Sequence, residues 1–303
     1  MTRGEFVRTA GATALVSAVG RVFGGEAAGG MKLPERYVVQ QAEIDAVTPA
    51  DFAAWCEGGE AKFPALRRLD AAFGKVLKEV RETSVTERPA IWFVYNMGMV
   101  VKTPQVCFSI DLKHPRAVEL APHLDFALIT HNHDDHHTEA FYRAMNGVGK
   151  TVVSNFLDNY GAMRAEGGFG GGYTRAEKTF VFRDVEIRTS LADHNAYLAD
   201  FTTAFEIRIG EFVIYHTGDC SSVKKLNPTR TPDVWVVHPY CGLAVADGVA
   251  KFHPKLTAIA HLNELGHARD RWRWTYAQGF EAAEAAKAAG GEAIVPVWGD
   301  RLG

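Results

Sequence analysis

Thr130-His131-Asn132-His133-Asp134-Asp135-His136-His137 is the stretch whose reading decides the fold. The run before it, Leu124-Asp125-Phe126-Ala127-Leu128-Ile129-Thr130, is short, apolar and rich in strand formers, which predicts a buried strand emptying into a loop. Behind it, Thr138-Glu139-Ala140-Phe141-Tyr142-Arg143-Ala144-Met145 predicts a helix whose first turn begins near His137. The octet is therefore a strand-to-helix loop. His131, His133, Asp135 and His136 crowd ligand-type side chains into six residues, more than one divalent ion takes from a single loop, so two metals are the natural reading. His-rich tracts also collect metal adventitiously. Four ligand side chains placed directly after a buried strand argue instead for a built site.

The spacing His131-x-His133-x-Asp135-His136 at the C-terminal end of a strand resembles the signature of the metallo-β-lactamase-fold hydrolases. The resemblance implies an α/β (α+β) chain folded as a four-layer αβ/βα sandwich, with further ligands at later strand ends. His194 follows the alternating run 185–192 and matches the third His, joining His131 and His133 on a first metal. Asp219, in Thr217-Gly218-Asp219, matches the Asp whose two carboxylate oxygens reach both ions; its plainer reading is an Asp in a turn after a strand. His261 closes the run Leu256-Thr257-Ala258-Ile259-Ala260 and matches the last ligand, completing a second metal with Asp135 and His136. His267, six residues later in a polar segment, is its rival. Asp111 stands where the family often has an Asp supporting the metal loop. His238, at the end of Pro232-Asp233-Val234-Trp235-Val236-Val237, matches no ligand role and reads as supporting or core.

Imidazole and carboxylate donors suit zinc best and also suit iron or manganese. Two such ions acidify a shared water enough to supply hydroxide near neutral pH, and one of them polarises the electrophile. Asp135 is placed to orient that hydroxide, and His267, Asn195, Tyr197 or a water to protonate a leaving group. The resemblance thus implies a metal-dependent hydrolase of the broad lactonase and phosphodiesterase-like branch, acting on a small-molecule ester, lactone or phosphodiester. The alternatives are a di-iron or mononuclear iron redox enzyme of the same fold, and a metal-binding protein without turnover.

The remainder of the 303 residues frames this domain. Nearly half of them are apolar, enough for one large core, and the net charge of −3 with no Lys/Arg stripe gives no footprint for nucleic acid. Residues 1–30 carry Arg3 and Arg8 before the apolar run Ala10–Gly20, too short to span a bilayer, and end Gly/Ala-rich. This is the layout of a cleavable export signal, with a twin-arginine-like start in which Gly4 replaces the second Arg and a small-x-small site at Gly25-Glu26-Ala27. It predicts a periplasmic or extracellular protein; an uncleaved N-terminus predicts a cytoplasmic one.

Residues 31–88 read as a helical extension and 89–303 as the hydrolase-like domain. Within it, 90–102 and 106–111 read as strands joined across Thr103-Pro104-Gln105, followed by a short helix from Pro115. Leu157 to Ala165 reads as a helix and Gly167–Tyr173 as a flexible loop rather than a phosphate cradle. Arg269 to Ala289 reads as one long helix with a basic face, and Ala293 to Trp298 as a last strand. The four cysteines show no metal spacing; Cys220 and Cys241 are a pair that an oxidising compartment would bridge, and small buried apolar positions are the plainer expectation.

Overall fold

Proline and apolar spacing set the first elements. Helix α1 spans Glu35–Asp45, α2 Pro49–Cys56 and α3 Pro64–Glu82. Pro49 and Pro64 stand in the first helical turn, where a missing N–H loses no bond. Thr48 and Asp51 close a capping box on α2, the Thr48 hydroxyl accepting from Asp51 N at 3.2 Å and the Asp51 carboxylate from Thr48 N at 3.1 Å. Along α3 the buried residues Leu66, Leu69, Phe73, Val76 and Val80 form a stripe at helical spacing. Bonds from Lys102 Nζ to Val80 O (2.6 Å) and from Trp92 Nε1 to Glu79 (2.7 Å) hold this helix to the first sheet.

The computed structural model describes residues 32–156, 177–195 and 198–302. Residues from Glu35 onward form one compact unit. The export signal expected over 1–30, the helix expected over 157–165, the glycine-rich stretch and Tyr197 lie outside the described residues.

Two mixed sheets carry the core. The first pairs β1 (Ala90–Phe93), β2 (Met99–Lys102), β3 (Cys107–Ile110), β4 (Phe126–Leu128) and β5 (Thr151–Val153) in chain order, antiparallel up to β3 and parallel beyond it. The second orders β6 (Lys178–Phe182), β7 (Val185–Ala192), β8 (Thr202–Ile209), β9 (Phe212–His216), β10 (Val234–Val237), β11 (Leu256–Ile259) and β12 (Ala293–Ile294), antiparallel from β6 to β9 and parallel from β9 to β12. Strands β1, β4 and β10 are buried at every position, as unbroken apolar runs require. Helices α4 (Glu139–Gly147), α5 (Val245–Phe252) and α6 (Tyr276–Ala288) complete the αβ/βα sandwich. No helix among the described residues is long and apolar enough to cross a membrane.

Several boundaries differ from expectation. The run 90–102 is two strands, because the chain turns at Tyr95–Gly98: Gly98 N donates to Tyr95 O (2.7 Å), Val94 N to Gly98 O (2.8 Å), and Asn96 takes φ +56°. A Cβ on Gly98 would meet Asp111 O at 2.8 Å, so the turn needs glycine there. Strand β6 was not expected; its alternately exposed residues mark it as an edge. The short helix after Pro115 is a pair of 3-10 turns, Ala117–Glu119 and Ala121–His123. The last helix starts at Tyr276 rather than Arg269, because Thr275 and Gln278 form a capping box and Trp272 sits at φ +60°. The last strand stops at Ile294, two residues before Pro296, which has no N–H to extend a ladder.

Candidate metal centre

Because β3, β4, β7, β9, β10 and β11 run the same way relative to one edge of the sandwich, their C-terminal ends deliver polar residues to one place. Asp111 follows β3, the octet follows β4, His194 follows β7, Asp219 follows β9, His238 follows β10 and His261 follows β11. Hydrogen bonds across the edge lock the halves together: Thr203 N to Thr130 O (2.8 Å), His261 N to Asn96 O (2.8 Å), and His216 Nε2 with Met97 O (3.0 Å).

The expected ligands fall into two groups whose donor atoms lie within 4.8 Å of one another: His131, His133 and His194, and Asp135, His136, Asp219 and His261. His194 and Asp219 form a third such group with Cys241. Asp219 stands between the first two. Its Oδ1 is 3.3 Å from His136 Nε2, and its Oδ2 is 3.3 Å from His261 Nε2 and 3.5 Å from His194 Nε2. Asp135 Oδ2 lies 3.0 Å from His261 Nε2 and accepts from Asn96 Nδ2 at 3.0 Å. Donors on one tetrahedral ion at about 2.1 Å are separated by about 3.4 Å, so these spacings fit a shared cation. His136 Nε2, His194 Nε2 and Asp219 Oδ1 are buried and make no hydrogen bond, which is the state of side chains arranged to bind an ion.

A buried carboxylate fixes the octet. Asp111 Oδ1 accepts from Thr130 N and its Oδ2 from Thr130 Oγ1, both at 2.7 Å, while His136 Nδ1 lies 2.9 Å from the same Oδ2. Thr130 Oγ1 in turn meets His131 Nδ1 at 2.9 Å. One aspartate thus orients two imidazoles and leaves the opposite nitrogens facing inward. Gly218, at φ +51°, lets the β9 loop pass Thr130: a Cβ there would lie 2.9 Å from Thr130 Cβ and Thr202 Cγ2. Asn96, Asp111, His261 and Asn263 all adopt positive φ around this edge.

Charge is strongly coupled here. Burial opposes the charged form of Asp219, yet His261, His136 and His238 outweigh it and hold the carboxyl well below its usual range. Asp135 behaves alike, burial being overcome by His136 and His261. Against burial, Asp135, Asp219 and Asp111 raise His136 well above an ordinary histidine, and Asp219 and Asp135 bring His261 up to about 10. Burial alone dominates at His131 and His133, which are pushed down. The centre therefore pairs anions with positive charge, which bound cations would supply in place of protons.

A cavity of about 430 Å³ opens over this cluster, lined by His133, Asp135, His194, Asp219, His238 and His261. Tyr240 stacks on Trp274 in its wall (4.5 Å between ring centroids), and Trp272, 62% exposed, sits at its rim. His267 also lines it but belongs to neither donor group; its Nδ1 lies 2.8 Å from Oε2 of buried Glu264, which raises the imidazole above its ordinary value. Glu264 is itself held by Tyr95, whose hydroxyl donates to Oε1 at 2.9 Å. Asn195 spans the loop, accepting from Leu198 N at 2.9 Å.

Other residues read differently from expectation. Arg273 does not present a basic face: it is 4% exposed and its guanidinium is spent on backbone carbonyls. Cys220 and Cys241 are free thiols, and Cys241 lies at the centre, its Sγ 2.9 Å from His194 O and 3.0 Å from Asp219 O. Asn96, Thr130, Cys241 and the Tyr95–Glu264 pair were not foreseen. Asn96 had a visible signal, an Asn two residues before Gly in an apolar run, which marks a turn.

No protein-family model matches this chain, and no curated protein sequence matches it. Solved structures do match. Igni18, a metallo hydrolase from the archaeon Ignicoccus hospitalis, superposes with a TM-score of 0.53 at 18% identity over 71% of this chain and 97% of its own. YhfI from Bacillus subtilis, a metallo-β-lactamase fold protein, gives 0.52 at 14% identity over 69% and 91%. CmlA, a diiron β-hydroxylase from Streptomyces venezuelae, gives 0.52 at 15% identity over 72% of this chain and 54% of its own. Identities this low speak for architecture alone. Sheet order, the strand-end placement of the donors and these superpositions agree that the chain has the metallo-β-lactamase fold.

Proposed function

We propose that the chain is a metal-dependent hydrolase that holds two divalent ions, zinc first among them, and cleaves an ester, lactone or phosphodiester. The observation that carries this reading is Asp219, whose Oδ1 faces His136 while its Oδ2 lies beside both His261 and His194, so that one carboxylate reaches both donor groups. Ions bound there would acidify a water and polarise the electrophile. The chain's own residues do the rest. Asn96 and His261 fix the Asp135 carboxylate at the cavity floor, where it can orient a nucleophile. His267, held protonated to higher pH by Glu264, stands in the cavity wall as a proton donor for the leaving group. The Tyr240–Trp274 stack offers an apolar face for an acyl or alkyl group. The N-terminal pattern adds the proposal that the enzyme works outside the cytoplasm, to be checked by cell fractionation.

Elemental analysis of protein purified without added metal, paired with hydrolysis of a p-nitrophenyl ester, a simple lactone and bis-p-nitrophenyl phosphate, tests the reading. About two zinc or manganese per chain, and turnover that His133→Ala abolishes, are expected. A second reading, a di-iron redox enzyme, is favoured by the fold likeness to CmlA. Two irons with no hydrolysis would support it, and a chain that binds no metal would remove both.

A further inference from the structure

A second cavity, of about 290 Å³, lies beside the first and shares Asp134, Asp135 and His267 with it. Helix α2 forms one of its walls. Pro49, Phe52, Ala53 and Cys56 line it at i, i+3, i+4 and i+7, which is a single face of a helix. A stripe of that spacing ordinarily packs on a core. Here Phe52 does so, its ring 5.5 Å from that of Tyr95, while Ala53 is exposed and Cys56 partly so. An apolar helix face is thus left open beside the metal centre.

The place of His267 assigns that space a use. Its Nδ1 is engaged by Glu264, which leaves Nε2 to meet a substrate, and its side chain is 36% exposed where the two cavities join. A general acid must touch the leaving oxygen, so the leaving group lies on the acid's side of the scissile bond. We infer that the second cavity is the leaving-group subsite, shaped for a neutral phenol or alcohol of ring size; this rests on the hydrolase reading above. The acyl carbon stays in the first cavity, over the donor groups. The oxygen of water bonds to that carbon, the acyl–oxygen bond breaks, His267 Nε2 gives its proton to the departing oxygen, and a proton of the water replaces it. A cavity of about 150 Å³ admits benzene, so this one has room for a fused bicyclic ring. Lys113, whose Nζ donates to Asp134 O, and His267 stand in its wall against the carboxyls of Glu57, Asp134 and Glu264. No surplus positive charge selects an anion, and Lys113 opposes a cation.

The test is Ala53→Phe, which fills the subsite from the α2 face. The ratio of kcat/KM for 2-naphthyl acetate over methyl acetate should fall about 10- to 100-fold against wild type. An unchanged ratio in an active variant would overturn the subsite and leave the hydrolase standing. If wild type cleaves neither ester, the ester reading fails, and fluorescence titration with 2-naphthol still decides the subsite. Binding at least tenfold weaker in Ala53→Phe supports it; equal binding refutes it and puts the ring against Tyr240 and Trp274. Should circular dichroism show that the variant does not fold, a crystal of wild type soaked with 2-naphthol decides: a ring between Phe52 and Lys113 supports the subsite, and a ring found solely in the first cavity refutes it.

Discussion

Replacing Arg273 with Met should unfasten the cavity wall. The guanidinium donates from Nε to Glu264 O (3.1 Å) and His267 O (2.8 Å), from Nη2 to Leu265 O (2.9 Å), and from Nη1 to Ile44 O (3.3 Å) and Val47 O (2.7 Å). One side chain thereby pins the loop carrying Glu264 and His267 to the corner between α1 and α2. Bonds to a charged donor are worth about 1.5–3 kcal/mol each, but the sum is not recovered, because burying the cation itself costs several kcal/mol. Methionine fills much of the volume and leaves neutral carbonyls that recruit water, so the net loss should be about 3 kcal/mol, a large share of the 5–15 typical of a folded domain. Arg273→Lys keeps the charge yet reaches fewer acceptors, and should lose roughly half as much. Urea unfolding with an unchanged m-value is the assay. A Met variant within about 0.5 kcal/mol of wild type would show that the carbonyls are equally well served without the guanidinium.

Two other outcomes follow from the buried polar groups. Asp111→Asn removes the acceptor that orients Thr130 and His136, so metal affinity measured by chelator competition should fall about 10- to 100-fold with the fold intact; wild-type affinity would deny Asp111 that role. His114, stacked on Phe73 at 4.1 Å and edge-on to Trp55, is pushed down to about 3 by burial and, next, by Arg116. Between pH 6.5 and 3 the unfolded chain binds a proton there that the folded chain does not, so this contribution is complete above 6.5. It declines by about 1.4 kcal/mol for each unit of acidification below that. Unfolding curves at pH 7, 6, 5 and 4 should be less steeply pH-dependent in His114→Phe by that amount, and parallel curves would contradict the assignment.

What was legible in the sequence was whatever strand periodicity and ligand spacing record. The octet, the β7, β9 and β11 runs and the residues at their ends could be placed because a buried strand that stops at a polar residue announces an edge. The structure brings His131, His133, Asp135, His136, His194, Asp219 and His261 together. His238 carried the same strand-end signal as His261 and matched no ligand role; the structure sets it in the cavity wall beside Asp219, outside the donor groups. Arg273 was hidden for another reason: a triplet of alternating arginines reads as a solvated face, and only the fold reveals five carbonyls converging on one of them. The turn at Asn96 had a single local mark, Asn two residues before Gly, set inside apolar residues on both sides. Close approach of Gly98 to Asp111, which forces the turn, joins residues from different strands and leaves no local trace.

The positive backbone angles at Asn96, Asp111 and His261 bear on how this protein would respond to selection. Each is a conformation that glycine adopts freely and that other residues hold at about 1–3 kcal/mol. A screen for heat resistance alone would therefore drift toward glycine at these positions, and every such gain would delete a side chain that holds or orients the centre. Thermal hardening and retention of the donors thus pull in opposite directions at this edge. A library that conserves these residues under pressure for stability would be reporting, without any substrate in hand, that the centre is in use.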